Sequence, residues 1–303
     1  MPDLNALYIF ATVVESNSFS EAARRLSIPL STVSRRVAEL ENELGVQLIE
    51  RSTRRLRLTD VGSEVFKQAQ ISVDLNDAVR DVVGDHLDLV TGFLRVSAPP
   101  SISDSLLAPI IGEFQESHPR VNVQVFITDR FVDLLAEGID VGFIVGPLQD
   151  PHLVPQVILT YRHRVVASPK YLAEHGSPRT PEDLLGHRLL TFSFWHPDNQ
   201  WHFVSRHGEE KRSITFRPYL SMNDYSGMIP RIIAGAGIGE IPPIVQPGHL
   251  ESGELVEVLL DWKWPAFDLK LVHLGCRYVP RAVRAFIDVA ERVAPQLFPD
   301  LPT

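Results

Sequence analysis

Ser31, Thr32, Ser34, Arg35 and Arg36 crowd into one short stretch, and Arg51, Arg54 and Arg55 follow soon after. Short hydroxyls and guanidinium groups form a set suited to recognising nucleic acid. Arginine pairs bidentately with a guanine edge, hydroxyls bond either base edges or phosphate, and both act at the surface of a duplex. What positions them is legible around them. Ser18 and Glu21 have the spacing of a capping box that starts a helix through Leu26, and Ile28 and Pro29 break it. A second helix is expected from about Leu30 to Leu44, with Val33, Val37, Leu40 and Leu44 as its inward stripe. That stripe turns the hydroxyls and arginines outward, where a major groove can take them. Gly45 ends the helix, and Val46 to Thr59 reads as strand, turn and strand with Arg54 and Arg55 at the tip. The sum is a winged helix-turn-helix.

Charge supports the same reading. Arg24, Arg25, Arg35, Arg36, Arg51, Arg54, Arg55 and Arg57 fall in one window of a chain whose formal net charge is -9. A charge run is most often a solvated face. A basic island in an acidic protein, placed on the second helix and the wing, is instead the footprint of phosphate contact.

The segments FSEAARRL, STVSRRVAELENELGVQLIER and LTDVG resemble the N-terminal signature of LysR-type transcriptional regulators. The likeness continues through VVASPKYLAEHGSP, MNDYSGMIPRIIAGAGIGEIP and VPRAVRAFIDVAERV, which resemble that family's effector-binding half. The resemblance implies an effector-responsive protein, homodimeric or homotetrameric, on a double-stranded DNA operator, with RNA polymerase as a candidate partner. One departure lies in the reading head. Pro29 stands where the family usually has a Ser or Thr capping the second helix, so Ser31 is the alternative cap, with a slightly later helix start.

With 303 residues and 44% hydrophobic content, the chain can build two or three ordinary cores. Its single cysteine, Cys276 in the strand-like run LKLVHLGC, excludes an intramolecular disulfide and reads as a buried, inert thiol. No signal peptide precedes the first amphipathic helix, Leu4 to Ser16, and no apolar run approaches membrane-spanning length. A cytoplasmic protein with no membrane partner is expected.

From Thr59 to about Leu89 there is no proline, and Val61, Val65, Ala69, Val73, Asn76, Val79 and Val83 keep a three-and-four spacing. This predicts one long linker helix. Its stripe can lie on its own domain or form a two-stranded seam with a second copy. A single winged helix covers half of a two-fold site, which favours the seam and a homodimer.

Beyond Gly92 the pattern alternates: FLRVSA, SDSLLAPIIGEFQESH, VNVQVFIT, FVDLLAEG and DVGFIVG read as strand, helix, strand, helix and strand. Alternation of this kind makes an open, mostly parallel sheet. The expected class is α/β, with the winged helix-turn-helix at 1–59, the linker helix at 60–90 and an effector-binding domain at 91–303. By resemblance the last is periplasmic-binding-protein-like, with one subdomain at about 91–163 and 267–303 and the other at about 164–266.

Between two such subdomains lies a cleft, and ligands of open sheets bind beyond strand carboxyl ends. Ser101 and Ser103 follow the first strand, Thr128 the second and Gly146 the third. Phe194, Trp201, Asn223 and Asp224 are expected across the hinge. Two helix starts converging there, at 101–103 and 223–224, suit a small organic anion, and Phe194 and Trp201 suit its apolar body. The alternative for these residues, Asp224 above all, is that they cap their own helices. The family often has an arginine before the glycine ending the third strand; here Val145 stands there, which removes one anion partner.

Other constellations carry less. His196, His202 and His207 lack a cysteine or carboxylate framework for a metal and read as pocket or surface histidines. Gly235, Gly237 and Gly239 follow a helix and enter a strand, the reverse of the phosphate-binding order. No nucleotide is therefore implied and no cofactor is expected; there is no GxSxG elbow, and Ser, His and Asp are too common to infer a triad, so no catalytic residue is expected. Three classes stand side by side: a ligand-controlled regulator, an architectural DNA binder and an enzyme on the C-terminal fold. The cleft argues against the second, and the missing nucleophile and metal motifs against the third.

Overall fold

The computed structural model describes residues 3–50, 56–87, 90–148, 150–193, 199–206, 208, 210–275 and 279–301, with the backbone alone at 74, 77, 78 and 80–87. The chain opens with α1 (Leu4–Glu15), α2 (Phe19–Leu26) and α3 (Leu30–Leu44), followed by a short antiparallel pair, β1 (Ile49–Glu50) and β2 (Arg57–Leu58). The Ser18 hydroxyl accepts the Glu21 N–H, as its spacing predicts. Helix α3 begins at Leu30 with Pro29 as its N-cap and no side-chain cap, so Ser31 does not take over that task. The Pro29 carbonyl accepts the Thr32 and Val33 N–H groups, and proline's fixed φ suits the position. Gly45 ends the helix at φ +69°, where a side chain would be strained.

Helix α4 (Asp60–Leu87) is the long helix the sequence predicts. It crosses the wing closely: a Cβ on Gly62 would lie 2.0 Å from the Leu48 carbonyl oxygen, so glycine is required. Thr59 fixes the junction, donating from Oγ1 to the Gln47 carbonyl and accepting the Gly62 N–H. Part of the expected apolar stripe packs on its own domain. Ala69 and Val73 are buried and Val65 packs beside them in the core that holds Phe10, Val33, Val37 and Leu40. Asn76 donates to Tyr8 Oη at 3.0 Å. That face therefore covers α1. A second face, with Ile71, Leu75 and Val79, is exposed.

The C-terminal half continues with β3 (Gly92–Ala98), a tight turn at Pro100–Ile102, one π-type turn at Ser103–Leu107 and α5 (Ala108–Ser117). Next come β4 (Val121–Ile127), α6 (Leu134–Glu137), β5 (Val141–Val145) and β6 (Leu153–Arg162). The chain crosses at His163 into β7 (Arg164–Ala167), α7 (Pro169–His175), β8 (Leu189–Phe192), β9 (Asn199–Ser205) and β10 (Lys211–Phe216). It goes on through β11 (Leu220–Met222), α8 (Tyr225–Ile233), β12 (Ile238–Ile241), α9 (Gly248–Glu251), β13 (Val256–Glu257) and β14 (Trp262–Lys263). It returns in β15 (Ala266–Leu274) and ends in α10 (Arg281–Leu297).

Two five-stranded sheets result, ordered β4-β3-β5-β15-β6 and β11-β8-β12-β7-β13, beside a three-stranded sheet β10-β9-β14. Each large sheet has two parallel and two antiparallel pairings among the described residues, and the small one is antiparallel. The mostly parallel expectation is thus corrected. The returning strand β15 runs against β5 and β6, because a strand coming back from the second sheet enters from the opposite end. It pairs with β6 from Ala266↔Arg162 to Leu274↔Leu153, which lays the two crossings side by side. Helix α10 buries Ala282, Val283, Phe286, Val289, Ala290 and Val293 at helical spacing against the first sheet and α5, so the C-terminal segment rejoins the first subdomain.

Candidate DNA-reading face and effector cleft

On α3 the packing face and the outward face separate cleanly. Val33, Val37 and Leu40 are buried, Ser31, Ser34 and Arg35 are exposed, and Thr32 and Arg36 are half-buried. The arginines differ in freedom. Among the described residues Arg35 has one long ionic contact, to Glu39 at 3.8 Å, with its side chain 64% exposed. Arg36 is held by Asp3 at 3.5 Å and Glu39 at 3.4 Å. Arg24 pairs with Glu21 on its own helix, and Arg25 reaches Glu15 at 2.8 Å. Part of the basic island is therefore structural. Glu41, which the sequence reading passed over, accepts the Leu48 and Ile49 N–H groups and so fixes the wing to α3. Arg51, Arg54 and Arg55 lie outside the described residues.

In the C-terminal half, the residues expected at the strand ends lie as follows. Ser101 is half-buried in the turn after β3, and Ser103 donates from Oγ to the Pro100 carbonyl at 2.8 Å. Thr128 follows β4, half-buried, and its Oγ1 accepts the Arg130 N–H at 3.3 Å. Gly146 ends β5 at φ +93°. A cation missed in the sequence sits there: Lys270 Nζ donates to the Gly146 carbonyl at 2.9 Å. Across the hinge, Asn223 is exposed, whereas Asp224 caps α8, accepting the Ser226 and Gly227 N–H groups at 3.0 and 3.2 Å. The amides offered to an anion are already taken. Close by, burial first and the Asp224 charge second push the Asp129 carboxyl above its ordinary range.

Trp201 is not a cleft residue. It is buried on β9, edge-on to Phe216 and Trp264, with Nε1–H donating to Thr191 Oγ1 at 3.3 Å. The reason is the three-stranded sheet, which needs a core of its own and takes its largest aromatics for it. Phe194, His196, His207 and Cys276 lie outside the described residues. His202 pairs with Ser213 Oγ on the exposed face of β9, and no group of metal-ligating side chains is found among the described residues.

A buried, multiply bonded carboxyl here is one that sequence reading missed. Glu240, 3% exposed on β12, faces His163 Nδ1 at 2.6 Å and accepts from Tyr225 Oη at 3.0 Å and the Phe192 N–H at 3.0 Å. It joins the crossing between the sheets, the first residue of α8 and the end of β8. Phe192 stacks on Tyr225 at 4.9 Å, and Phe267 lies 4.7 Å from the His163 ring. A glutamate inside the apolar run GIGEIPP was the available signal.

Comparison with known proteins places this arrangement. Residues 4–63 match the family described as bacterial regulatory helix-turn-helix protein, lysR family, and residues 88–295 match the LysR substrate binding domain. A probable HTH-type transcriptional regulator LtrA of Klebsiella pneumoniae is 31% identical over 300 residues, covering 98% of this chain and 96% of the other. The structure of CrgA, a LysR-type transcriptional regulator from Neisseria meningitidis, is 28% identical with a TM-score of 0.62, covering 97% of this chain and 99% of that one. The full-length structure of AphB, the Vibrio cholerae virulence activator, is 28% identical with a TM-score of 0.60, covering 95% and 98%.

Proposed function

The chain belongs to the LysR family of transcriptional regulators, which join a helix-turn-helix DNA-binding domain to an effector-binding domain, and from that premise we propose how its residues divide the work. Residues 1–59 form the reading head, 60–90 the linker and 91–303 the effector-binding domain. Helix α3 enters the major groove of a double-stranded operator, with Ser31, Thr32, Ser34 and Arg35 toward base edges and Arg36 toward phosphate. Arg51, Arg54 and Arg55 follow the backbone from the wing. The carrying observation is the outward face of α3, where Ser31, Ser34 and Arg35 are exposed over a buried stripe.

The cleft holds a small-molecule effector, and the protein acts by binding, without catalysis and without a cofactor. Ser101, Ser103, Thr128, Gly146, Phe194, Asn223 and Asp224 are its candidate wall. An organic anion fits the 101–103 turn; the Asp224 and Asp129 side favours a ligand presenting hydrogen-bond donors, because two carboxyls lie close together there. The protein is cytoplasmic and works as a homodimer or homotetramer, with RNA polymerase as a candidate partner. No helix among the described residues is long and apolar enough to cross a membrane.

Selection of bound genomic fragments by the full chain, followed by sequencing, tests the reading. A sharp set of two-fold sites is expected; capture without sequence preference would leave an architectural binder. A ligand panel read by thermal shift then supplies the effector, and Ser101→Ala should weaken it about ten- to a hundredfold while operator binding persists. Equal affinities would remove Ser101 from the site.

A further inference from the structure

The two halves of the chain meet at Glu15. At the end of α1, the Thr12, Val13 and Val14 carbonyls accept the Ser16, Ser18 and Asn17 N–H groups. The next carbonyl, that of Glu15, receives Arg95 Nη1–H at 2.9 Å from β3 of the C-terminal half. A guanidinium at a helix C-terminus satisfies an exposed carbonyl and sits at the negative end of the helix dipole. Arg95 is itself held in place. Its Nη1 also reaches the Gly138 carbonyl at 3.4 Å and its Nε the Gln124 side chain at 3.3 Å, while its backbone N–H donates to Asp140 Oδ2 at 2.7 Å.

The surroundings fit this contact. Gly138 ends α6 at φ +63°, and a Cβ there would stand 2.3 Å from the Glu15 carbonyl oxygen, so the two backbones touch. Leu135 of α6 packs against the core of the N-terminal helices. Beside this contact, a groove of about 900 Å³ with Ile71, Leu75, Phe93 and Val283 in its walls lies between α4 and the first sheet. The contact lies at the end of α1. From Glu15 it passes into the reading head by two routes, the carboxylate paired with Arg25 of α2 and the short turn to Ser18, which caps α2.

We propose that the β3–α6 face is a docking surface for the reading head of the same chain, with Arg95 as its latch on Glu15, so that the first subdomain sets where α3 stands. The proposal deepens the DNA-reading role argued above and rests on it for its consequence. Its geometry can be tested without DNA. Spin labels at Ser20→Cys and Gln115→Cys, with Cys276→Ser, report the distance between the halves when labelled chain is diluted into unlabelled chain. Wild-type protein should give one short population. Arg95→Met keeps the stem and removes the donors, and Leu135→Ser removes the apolar contact while leaving Arg95 in place. Each should add a longer population, with the docking equilibrium weakened about ten- to a hundredfold for Arg95→Met. A single wild-type population in both variants overturns the latch. Operator binding, measured in parallel, should lose its dependence on half-site spacing in both variants while one half-site is still bound. A wild type that binds no operator would remove the DNA-reading role, and the distances would still decide the docking.

Discussion

His163 Nδ1 and Glu240 Oε2 lie 2.6 Å apart, at the place where the chain passes from one large sheet to the other. The pair is enclosed, with side-chain exposures of 13% and 4%. A buried carboxyl is tolerated only where its oxygens are met, and here the Phe192 N–H and Tyr225 O–H complete the set. Glu240→Leu should remove the acceptor that the buried Tyr225 hydroxyl and the half-buried His163 and Phe192 share, and cost about 3–5 kcal/mol. Glu240→Gln keeps an acceptor and should cost about 1–2 kcal/mol. Urea unfolding measures both; equal losses would mean that the carboxylate charge, which both variants lack, and not the number of acceptors sets the effect.

The same cluster predicts an alkaline limit. Burial first and the Glu240 charge second push the Tyr161 hydroxyl well above its ordinary range, and the same causes in the same order raise Tyr225. Above pH about 10 an unfolded chain releases these protons while the folded chain keeps them. The folded state then binds more protons, so stability is complete below that pH and falls as pH rises, by about 1.4 kcal/mol per unit for each tyrosine. Tyr225→Phe should start less stable and lose stability less steeply between pH 9 and 11. Parallel slopes for variant and wild type would contradict this.

Local signals made the reading head legible, and nonlocal pairing hid much of the rest. Ser18, Gly45 and the stripe Val33, Val37 and Leu40 act within a few residues of their effects, so helix bounds there were readable. Strand β6 carries exposed residues at Val154 and Val157 and is defined by its long pairing with β15, which no neighbouring residue announces. The three-stranded sheet was missed for the same reason, and Trp201 with it. In the cleft, strand ends were placed by the alternation of elements. The role of Asp224 depended on where its own carboxylate turned, and the fourth corner of the Glu240 cluster on a residue 77 positions away.

The linker helix separates two tests that its spacing alone could not. Val73 is buried against α1, whereas Ile71 and Leu75 are each 63% exposed. Val73→Asp should unsettle the head itself, by about 3 kcal/mol or more. Ile71→Asp and Leu75→Asp should leave the single chain folded and instead break the association with a second copy, placing a carboxylate in the seam. Sedimentation and unfolding on the same samples distinguish them. Intact assembly in both exposed-face variants would move the main interface off α4.

Arg35 and Arg36 are neighbours in sequence with different surroundings, and their substitutions should not be equivalent. Arg36 is engaged by Asp3 and Glu39, so its guanidinium screens local acid charge. Arg35 stands outward with one distant carboxylate. If α3 lies in the major groove, Arg35 is the side chain that can pair with a guanine edge. Arg35→Ala should then cost about 1–3 kcal/mol at one base position and relax preference there. Arg36→Ala removes charge near the backbone, so it should weaken all sequences alike and lower the salt dependence by about one counterion. A randomised operator library read at two salt concentrations gives both quantities. A uniform loss from Arg35→Ala would make it a phosphate contact, and no loss from either would show that this face of α3 does not read the operator.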